Sequence, residues 1–257
     1  SIVGKFLKIP VVHTQYCELN SKAVCFKFFD FSASKLRLFV PNKYVAISRN
    51  IYTSMVKAGI SSQKVVIIPP VAPSSPENSN PNKRYRCDLG FSCDDLIVLF
   101  VGNLMHNKGI DILFKSFIEL KEVLPTLKLI VTTELVHRNL LARKNSLQDV
   151  LAQHGLTERV LWLGFVDDML SLIRDVDVVV VPFIDLNGIS DYPLVVLEAM
   201  TVGTPVIATD VGGTREILFD DATTNRMKKQ KITESLYRER YKNMVEMLRT
   251  FHRSSDQ

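Results

Sequence analysis

The chain has 257 residues and a net charge of +5 at neutral pH; 46% of its residues are hydrophobic and 23% are charged. This size and balance exclude a disordered chain and suit one large globular domain or two smaller ones. No apolar run reaches the ~20 residues of a membrane-spanning helix, and the four cysteines form no CxxC pair, so neither a disulfide framework nor a zinc site is expected.

The sequence pattern of residues 10–70 predicts alternating strands and helices. The strands are PVVHTQY (10–16), YVAIS (44–48) and KVVIIPP (64–70), and the helices are a mixed segment (20–38) and RNIYTSMVKAG (49–59), closed by Gly59. Five of the 11 prolines follow in PPVAPSSPENSNP (69–81), which can hold neither a helix nor a central strand. We therefore predict a linker over 71–82 between residues 1–70 and a second domain.

After the linker, the alternation becomes regular. The strands are LIVLFVG (96–102), LKLIVTT (127–133), VLWLG (160–164), VDVVVVP (176–182) and PVIATD (205–210), and the helices lie at 108–123, 140–153, 168–175 and 193–202. Continuous β-branched runs are typical of strands buried on both faces of a parallel sheet. The predicted fold class is therefore α/β, a doubly wound domain that binds ligands at the carboxyl ends of its strands.

The segment VGNLMHNKG (101–109) joins the first of these strands to its helix. Backbone N–H groups and Lys108 at the start of a helix would suit a phosphate group. The spacing matches neither GxxxxGK[ST] nor GxGxxG, so an ordinary loop with a solvent-exposed lysine stays open as the alternative.

The segment SDYPLVVLEAM (190–200) puts a carboxylate on an apolar helix. Asp191 is a suitable N-cap for this helix, and Pro193 falls in its first turn, where a missing N–H costs least. A buried Glu198 must accept hydrogen bonds. The hydroxyl groups of a ligand or the amides of a neighbouring loop could donate them.

Two glycines follow the last predicted strand, in ATDVGGTREI (208–217). Gly212 and Gly213 would allow a ligand to approach the backbone closely, and Thr214 could cap the next helix. A tight turn with no ligand is the alternative.

A metal site is not expected. Asp175 and Asp177 spell the DxD of metal-dependent sugar transferases, but Asp177 leads directly into a predicted buried strand, which is the wrong place for two metal ligands. The five histidines show neither HxxxH nor HExxH spacing.

Basic residues are concentrated near the end of the chain. Between Arg226 and Arg253 there are nine Lys or Arg against three Glu, which suits a solvated helix face, an anionic membrane surface or a phosphorylated substrate. The stretch FKFFDFSASKLRLF (26–39) suits either surface attachment or a core helix. Nucleic acid is not expected as a partner, because no stacking module or recognition helix is present.

Three segments together resemble the retaining nucleotide-sugar glycosyltransferases of family 4, which have the GT-B fold of two Rossmann-like domains. They are FVGNLMHNKGIDIL (100–113), VLWLGFVDDMLSLIRDVDVVVVPF (160–183) and LEAMTVGTPVIATDVGGTREIL (197–218). The resemblance implies a nucleotide-sugar-binding domain over 83–222, a basic C-terminal helix over 223–257 and a partial acceptor-side domain over 1–70. The first half of that acceptor-side domain is expected to lack a counterpart in the chain.

The resemblance also implies the roles of individual residues. Glu198 matches the second Glu of the family's E-x7-E motif, which binds the ribose, and Lys108 matches the lysine that holds the donor diphosphate. Together with Ser190 they form the expected catalytic group. Donor-binding positions are also expected along the backbone of the family's loops, namely at Gly102, Asn103, Phe165, Val166, Leu194, Val195, Gly212 and Gly213, with Phe165 and Val166 forming the wall of the nucleobase pocket.

Several positions depart from the family pattern. Ser190 stands where the first Glu of E-x7-E belongs, and Asn103 replaces an arginine. Pro193 replaces a small residue, and Tyr16 stands where the acceptor-side histidine is expected, with His13 displaced. A binding or scaffold subunit that has lost catalysis therefore stays open beside a transferase, and a nucleotide-sugar epimerase of the same fold is a third alternative.

The resemblance implies a hexosyltransferase that needs no metal ion or other cofactor. It would move a sugar from a UDP- or GDP-sugar, with retention of configuration, to a lipid-linked or glycan acceptor. The implied location is cytoplasmic, at the inner face of a membrane, where the basic tail would contact anionic lipid.

Overall fold

The computed structural model describes residues 9–18, 41–71, 84–134, 138–187, 189–218 and 245–250. The strands are β1 (Val12–Gln15), β2 (Lys43–Ala46), β3 (Val65–Ile67), β4 (Leu96–Val101), β5 (Leu127–Thr132), β6 (Val160–Leu163), β7 (Val178–Val181) and β8 (Val206–Ala208). The helices are α1 (Arg49–Lys57), α2 (Tyr85–Asp88), α3 (Ile110–Leu120), α4 (Arg138–Gln153), α5 (Met169–Arg174), α6 (Leu194–Val202) and α7 (Thr214–Leu218), and residues 245–250 are also helical.

Two compact units make up the fold. The first comprises Ser1–Val71, Asp185–Leu194 and Val211–Thr224, and the second comprises Ala72–Ile184, Val195–Asp210 and Asn225–Gln257. The predicted linker (71–82) and basic helix (223–257) fall almost wholly outside the described residues, so these domain boundaries stay predictions. The same holds for the helix predicted over 20–38.

The first unit contains a parallel sheet of three strands in the order β1-β2-β3. Helix α1 crosses from β2 to β3, and its start is fixed by Ser48, whose hydroxyl accepts a hydrogen bond from the Ile51 N–H at 2.9 Å. It ends where Gly59 takes a φ of 94°, a left-handed conformation that glycine adopts at little cost. The predicted closure of the helix at Gly59 is confirmed.

The second unit contains a parallel sheet of five strands in the order β6-β5-β4-β7-β8. The chain runs outward from β4 to β6, then crosses back and adds β7 and β8 on the other side of β4. The direction of winding therefore changes between β4 and β7, and a doubly wound sheet binds its ligands at such a switch point. The predicted α/β fold with parallel sheets is confirmed.

The core of the second unit forms around β4, β5 and β7. Every residue of β7 is buried, as are the first five residues of β4, because helices cover both faces of a parallel sheet. Helix α3 buries one face against these strands through Leu113 and Phe117. The strands predicted from continuous β-branched runs are confirmed.

Some elements are shorter than the sequence predicts. The strand predicted over 64–70 ends at Ile67, since Pro69 and Pro70 carry no N–H to continue the ladder. No helix among the described residues is long and apolar enough to cross a membrane.

Candidate functional site

The loop after β4 carries Lys108. The β4 strand ends at Val101, and the next residue, Gly102, takes a φ of 150° and donates its N–H to the Thr132 carbonyl at 3.1 Å. A 3-10 turn over His106–Lys108 follows, and Gly109, with a φ of 74°, starts α3. This short, glycine-bounded turn fixes Lys108 at the carboxyl end of the sheet.

The side chain of Lys108 spans the switch point of the sheet. Its Cδ and Cε lie 3.8 Å from where a Cβ on Gly102 would stand, an ordinary van der Waals distance, so the lysine stem runs alongside Gly102. The Nζ lies 4.2 Å from the centroid of the Phe183 ring, just beyond β7. Burial lowers the pKa of Lys108 from its ordinary value, and a nearby anion would oppose that shift.

A cavity of about 550 Å³ opens at the carboxyl ends of β4, β5 and β6. It is lined mostly by apolar side chains with a few polar groups, as is usual for small-molecule sites. The lining residues are Val101, Gly102, Asn103, Thr132, Thr133, Glu134, Leu140, Gly164, Phe165, Val166 and Met169. Four of the predicted donor-binding residues thus surround one space.

Two of these predicted residues have distinct surroundings in the cavity. Phe165 is 75% exposed, so one face of its ring is available to a flat ligand. The Oδ1 of Asn103 accepts a hydrogen bond from the Met105 N–H at 3.2 Å and so shapes the loop that leads to Lys108.

Thr133 is a cavity residue that the motifs did not predict. It follows β5 directly, is 6% exposed, and its hydroxyl oxygen has no hydrogen-bond partner among the described residues. Buried hydroxyl groups are nearly always paired. The only signal in the sequence is its position at the end of a predicted strand.

Helix α6 carries Glu198 on a largely buried surface. Val195 is 8% exposed, whereas Leu194 is 54% exposed. The carboxylate of Glu198 is half-buried, and within the described part of the chain it has neither a hydrogen bond nor an ion pair. Burial raises the pKa of Glu198, since desolvation disfavours the charged form. Among the described residues, therefore, no amide of a neighbouring loop donates a hydrogen bond to the Glu198 carboxylate.

The glycine pair lies against Asp191. A Cβ on Gly212 would overlap the Asp191 carboxylate, and one on Gly213 would lie 2.8 Å from the Asp191 carbonyl oxygen. With a φ of 58°, Gly212 also takes a left-handed conformation. Both positions therefore need glycine because the Asp191 loop packs closely on them, and their role towards a donor stays a prediction.

Asp191 is fully buried and forms a polar network that the sequence did not predict. Its carboxylate accepts hydrogen bonds from the Ser48 hydroxyl and from Asn50 Nδ2, the latter at 2.9 Å. Its N–H donates to the Tyr16 carbonyl at 2.9 Å. The expectation that Asp191 caps the following helix is wrong, because its carboxylate is taken up by groups at the start of α1.

Ser190 lies in a turn beside this network. Its hydroxyl lies 3.4 Å from the Tyr192 N–H and 3.3 Å from the Tyr192 carbonyl oxygen, which closes a local turn. Ser190, Leu194, Gly212 and Gly213 belong to the first compact unit, whereas Lys108, Glu198 and the cavity residues belong to the second.

Glu216 satisfies the start of α1. Its carboxylate accepts hydrogen bonds from the N–H groups of Arg49, at 2.9 Å, and Asn50, at 3.2 Å, where a helix favours negative charge. The expected cap by Thr214 is wrong, because α7 already begins at Thr214 and the buried hydroxyl has no partner among the described residues.

The DxD pair takes part in structural contacts. Asp177 accepts hydrogen bonds from Arg86 Nη2 and from the Ile97 N–H, both at 2.6 Å, and so ties the amino ends of β4 and β7 together. Within the described ranges, no group of three or more His, Cys, Asp or Glu side chains is arranged to hold a metal ion.

Comparison with known proteins gives one family match and several relatives. The family described as "Glycosyl transferases group 1" matches residues 95–238, more than half of the chain. An uncharacterised glycosyltransferase of Methanocaldococcus jannaschii is 34% identical over 136 residues, which cover 52% of this chain and 32% of that protein. The D-inositol 3-phosphate glycosyltransferase of Segniliparus rotundus is 28% identical over 217 residues, covering 80% and 47%. The chain therefore spans only about a third to a half of the length of these curated relatives.

A solved structure shares the fold. HepE of Anabaena, crystallised in complex with UDP-glucose, superposes with a TM-score of 0.72 at 20% identity, covering 97% of this chain and 66% of that one. At this identity the likeness establishes the fold.

Proposed function

Because the chain belongs to the glycosyl transferases group 1 family, we propose that it binds a nucleoside-diphosphate sugar, either UDP- or GDP-linked, and transfers the sugar with retention of configuration. A lipid-linked or glycan molecule is the proposed acceptor, at the inner face of a membrane. The observation that carries the proposal is the cavity at the carboxyl ends of β4, β5 and β6, with the partly buried Lys108 beside it at Gly102.

Lys108 is the proposed partner of the donor diphosphate. When the sugar leaves, negative charge builds up on the diphosphate, and a fixed cation in a partly dehydrated site stabilises that charge far more than one in water. Lys108 suits this role because its stem runs alongside Gly102, its Nζ lies against the Phe183 ring, and its partial burial reduces the water that would screen its charge. The backbone amides of Leu194 and Val195, at the start of α6, are the proposed second source of positive potential. No metal ion is then required.

Glu198 is the proposed partner of the ribose. A half-buried carboxylate without a hydrogen-bond donor is costly, and two adjacent hydroxyl groups of a ribose would supply the missing donors. Burial raises the pKa of Glu198, and hydrogen bonds from ribose hydroxyl groups would oppose that shift.

A catalytically impaired binding subunit is the second candidate. It is favoured by Ser190, which offers no carboxylate and whose hydroxyl is turned towards the Tyr192 backbone. Transfer from a panel of radiolabelled UDP- and GDP-sugars separates the two candidates. Nucleotide-sugar binding without transfer or hydrolysis would favour the binding subunit, and epimerised free nucleotide sugar would favour an epimerase.

The direct test of the site is calorimetric titration with UDP and GDP. We expect Lys108→Met to weaken binding of the preferred nucleotide about tenfold or more, while Lys115→Met, on the exposed side of α3, leaves it unchanged. A chelator should also leave it unchanged. Equal binding by Lys108→Met and the unaltered chain would refute the role of Lys108.

The pH dependence of binding gives an independent check. Because burial lowers the pKa of Lys108 below its ordinary value of 10.5, its ammonium group loses its proton at a lower pH than a free lysine. Nucleotide affinity should therefore begin to fall below pH 10.5 as the pH rises. Lys108→Arg keeps its charge throughout this range, so the affinity of the unaltered chain should fall more steeply with pH than that of Lys108→Arg, and a parallel fall in both proteins would contradict the assignment.

A further inference from the structure

The hydroxyl of Thr133 is a buried polar group with no partner. Thr133 is 6% exposed, and its Oγ1 has no hydrogen-bond partner among the described residues. Such a group has given up its hydrogen bonds to water without replacing them. A native structure usually has a reason for keeping one.

The position of Thr133 is fixed by the sheet. Its N–H donates to the Leu163 carbonyl at 3.0 Å, and the preceding residue pairs with Leu163 across β5 and β6. The backbone therefore cannot move to satisfy the hydroxyl. The side chain keeps one freedom, rotation about χ1, which exchanges the hydroxyl with the methyl group.

Thr133 also lines the cavity that contains Asn103, Phe165 and Val166. The unpaired hydroxyl therefore belongs to a residue of the cavity wall. The exposed ring of Phe165 offers a stacking surface in this space, and aromatic rings commonly bind nucleobases by stacking. A polar group inside a mostly apolar cavity fixes the orientation of its ligand.

We propose that Thr133 is a specificity-determining residue whose hydroxyl hydrogen-bonds the base of the donor nucleotide. This proposal rests on the proposed nucleotide-sugar function. Uracil and guanine both present a ring carbonyl next to a ring N–H, and a threonine hydroxyl can donate to the first or accept from the second. The titrations with UDP and GDP decide which base it serves.

The proposal predicts opposite effects on stability and binding. Thr133→Val keeps the shape of the side chain and removes an unpaired hydroxyl, so the free protein should be as stable as before or more stable. Nucleotide affinity should nevertheless fall, because the base loses its partner. A purely structural role for the hydroxyl would lower stability.

Thr204→Val is the matched control. Thr204 is also buried, at 7% exposure, but its hydroxyl donates to the Ile173 carbonyl at 2.7 Å, and it precedes β8 at the opposite end of the sheet. This variant should lower stability, because it leaves that carbonyl unpaired, without changing nucleotide affinity. The fluorescence of Trp162, the single tryptophan, reports unfolding.

The experiment is calorimetric titration of the whole chain with UDP and GDP, together with urea unfolding. For the nucleotide that the unaltered chain prefers, we expect Thr133→Val to lose about tenfold in affinity and Thr133→Ser to lose less than about threefold. In a Thr133→Val/Lys108→Met double variant the two losses should multiply, since each residue would contact a different part of the ligand.

Each outcome decides a separate point. Binding of neither UDP nor GDP by the unaltered chain would overturn the proposed function itself, and this proposal with it. Binding that is unchanged in Thr133→Val would overturn only the role of Thr133. A double variant that binds like Lys108→Met alone would overturn the base assignment, as would a loss of stability in Thr133→Val equal to that of Thr204→Val.

Discussion

Gly109 lets the turn that carries Lys108 pack closely against the end of β7, and Gly109→Ala should disrupt this packing. Gly109 has a φ of 74°, and a Cβ on it would overlap the Pro182 carbonyl oxygen and lie 2.7 Å from the Pro182 carbonyl carbon. Backbone atoms cannot move aside as the end of a flexible side chain can. The two loops are also joined by a hydrogen bond from the Ile184 N–H to the Asn107 carbonyl, at 2.8 Å.

The cost can be worked out from these contacts. An alanine in the left-handed conformation costs roughly 1–2 kcal/mol, and the stiffer unfolded chain returns about 0.4–1 kcal/mol. Separating the backbones adds about 1–3 kcal/mol of strain, and losing the inter-loop hydrogen bond adds about 1 kcal/mol. We expect Gly109→Ala to lower the free energy of unfolding by about 3–5 kcal/mol and to weaken UDP or GDP binding by moving Lys108.

Gly155→Ala is the matched control for this prediction. Gly155 follows α4 with a φ of 68°, and a Cβ there meets nothing within 4 Å, so only the conformational cost of about 1 kcal/mol remains. Urea unfolding followed by the fluorescence of Trp162 measures both variants. If they lose the same stability, the close approach of Gly109 to Pro182 does not constrain the turn and the reasoning is refuted.

Two further predictions concern the half-buried Glu198 and the buried Asp191. Burial raises the pKa of Glu198 above 4.5, so ionisation of Glu198 lowers the free energy of unfolding above the raised pKa and has no effect on it below pH 4.5. Glu198→Gln should therefore be more stable than the unaltered chain at pH 7.5 and equally stable at pH 4. The same variant should bind nucleotide more weakly. An equal difference in urea midpoint at both pH values would contradict this. Asp191→Asn should cost about 2–3 kcal/mol, because the Ser48 hydroxyl and the Asn50 amide donate to different carboxylate oxygens, and in asparagine an NH₂ group that cannot accept replaces one of them. The exposed Asp167→Asn is its control by circular dichroism, and an equally small loss in both would show that the network contributes little.

The strands and the fold class could be predicted from the sequence because their signals are local. The runs that form β4, β5 and β7 are continuous and β-branched, and only a sheet covered on both faces can bury them completely. The end of α1 at Gly59 likewise depends on neighbouring residues alone. The resemblance identified Gly102, Asn103, Phe165 and Val166, and the cavity brings these four residues together.

Contacts between distant parts of the chain could not be predicted in this way. Asp191 is a suitable helix cap by sequence, but residues more than 140 positions earlier hold its carboxylate. Thr133 carries no motif, and its importance follows only from the burial of its hydroxyl beside the cavity. The reason is physical: hydrogen bonds and burial depend on which surfaces the fold brings together, and spacing along the chain does not encode that pairing.

The sequence by itself determined the strand–helix alternation, the parallel sheet and the chemistry available in each loop, because secondary-structure periods and turn residues act locally. Only the tertiary structure decided that β4 and β7 are neighbours, and hence that the Lys108 side chain lies on Phe183 at the point where the winding of the sheet reverses. Strand order is set by how helices and strands pack into a common core, and that packing exists only in the folded chain.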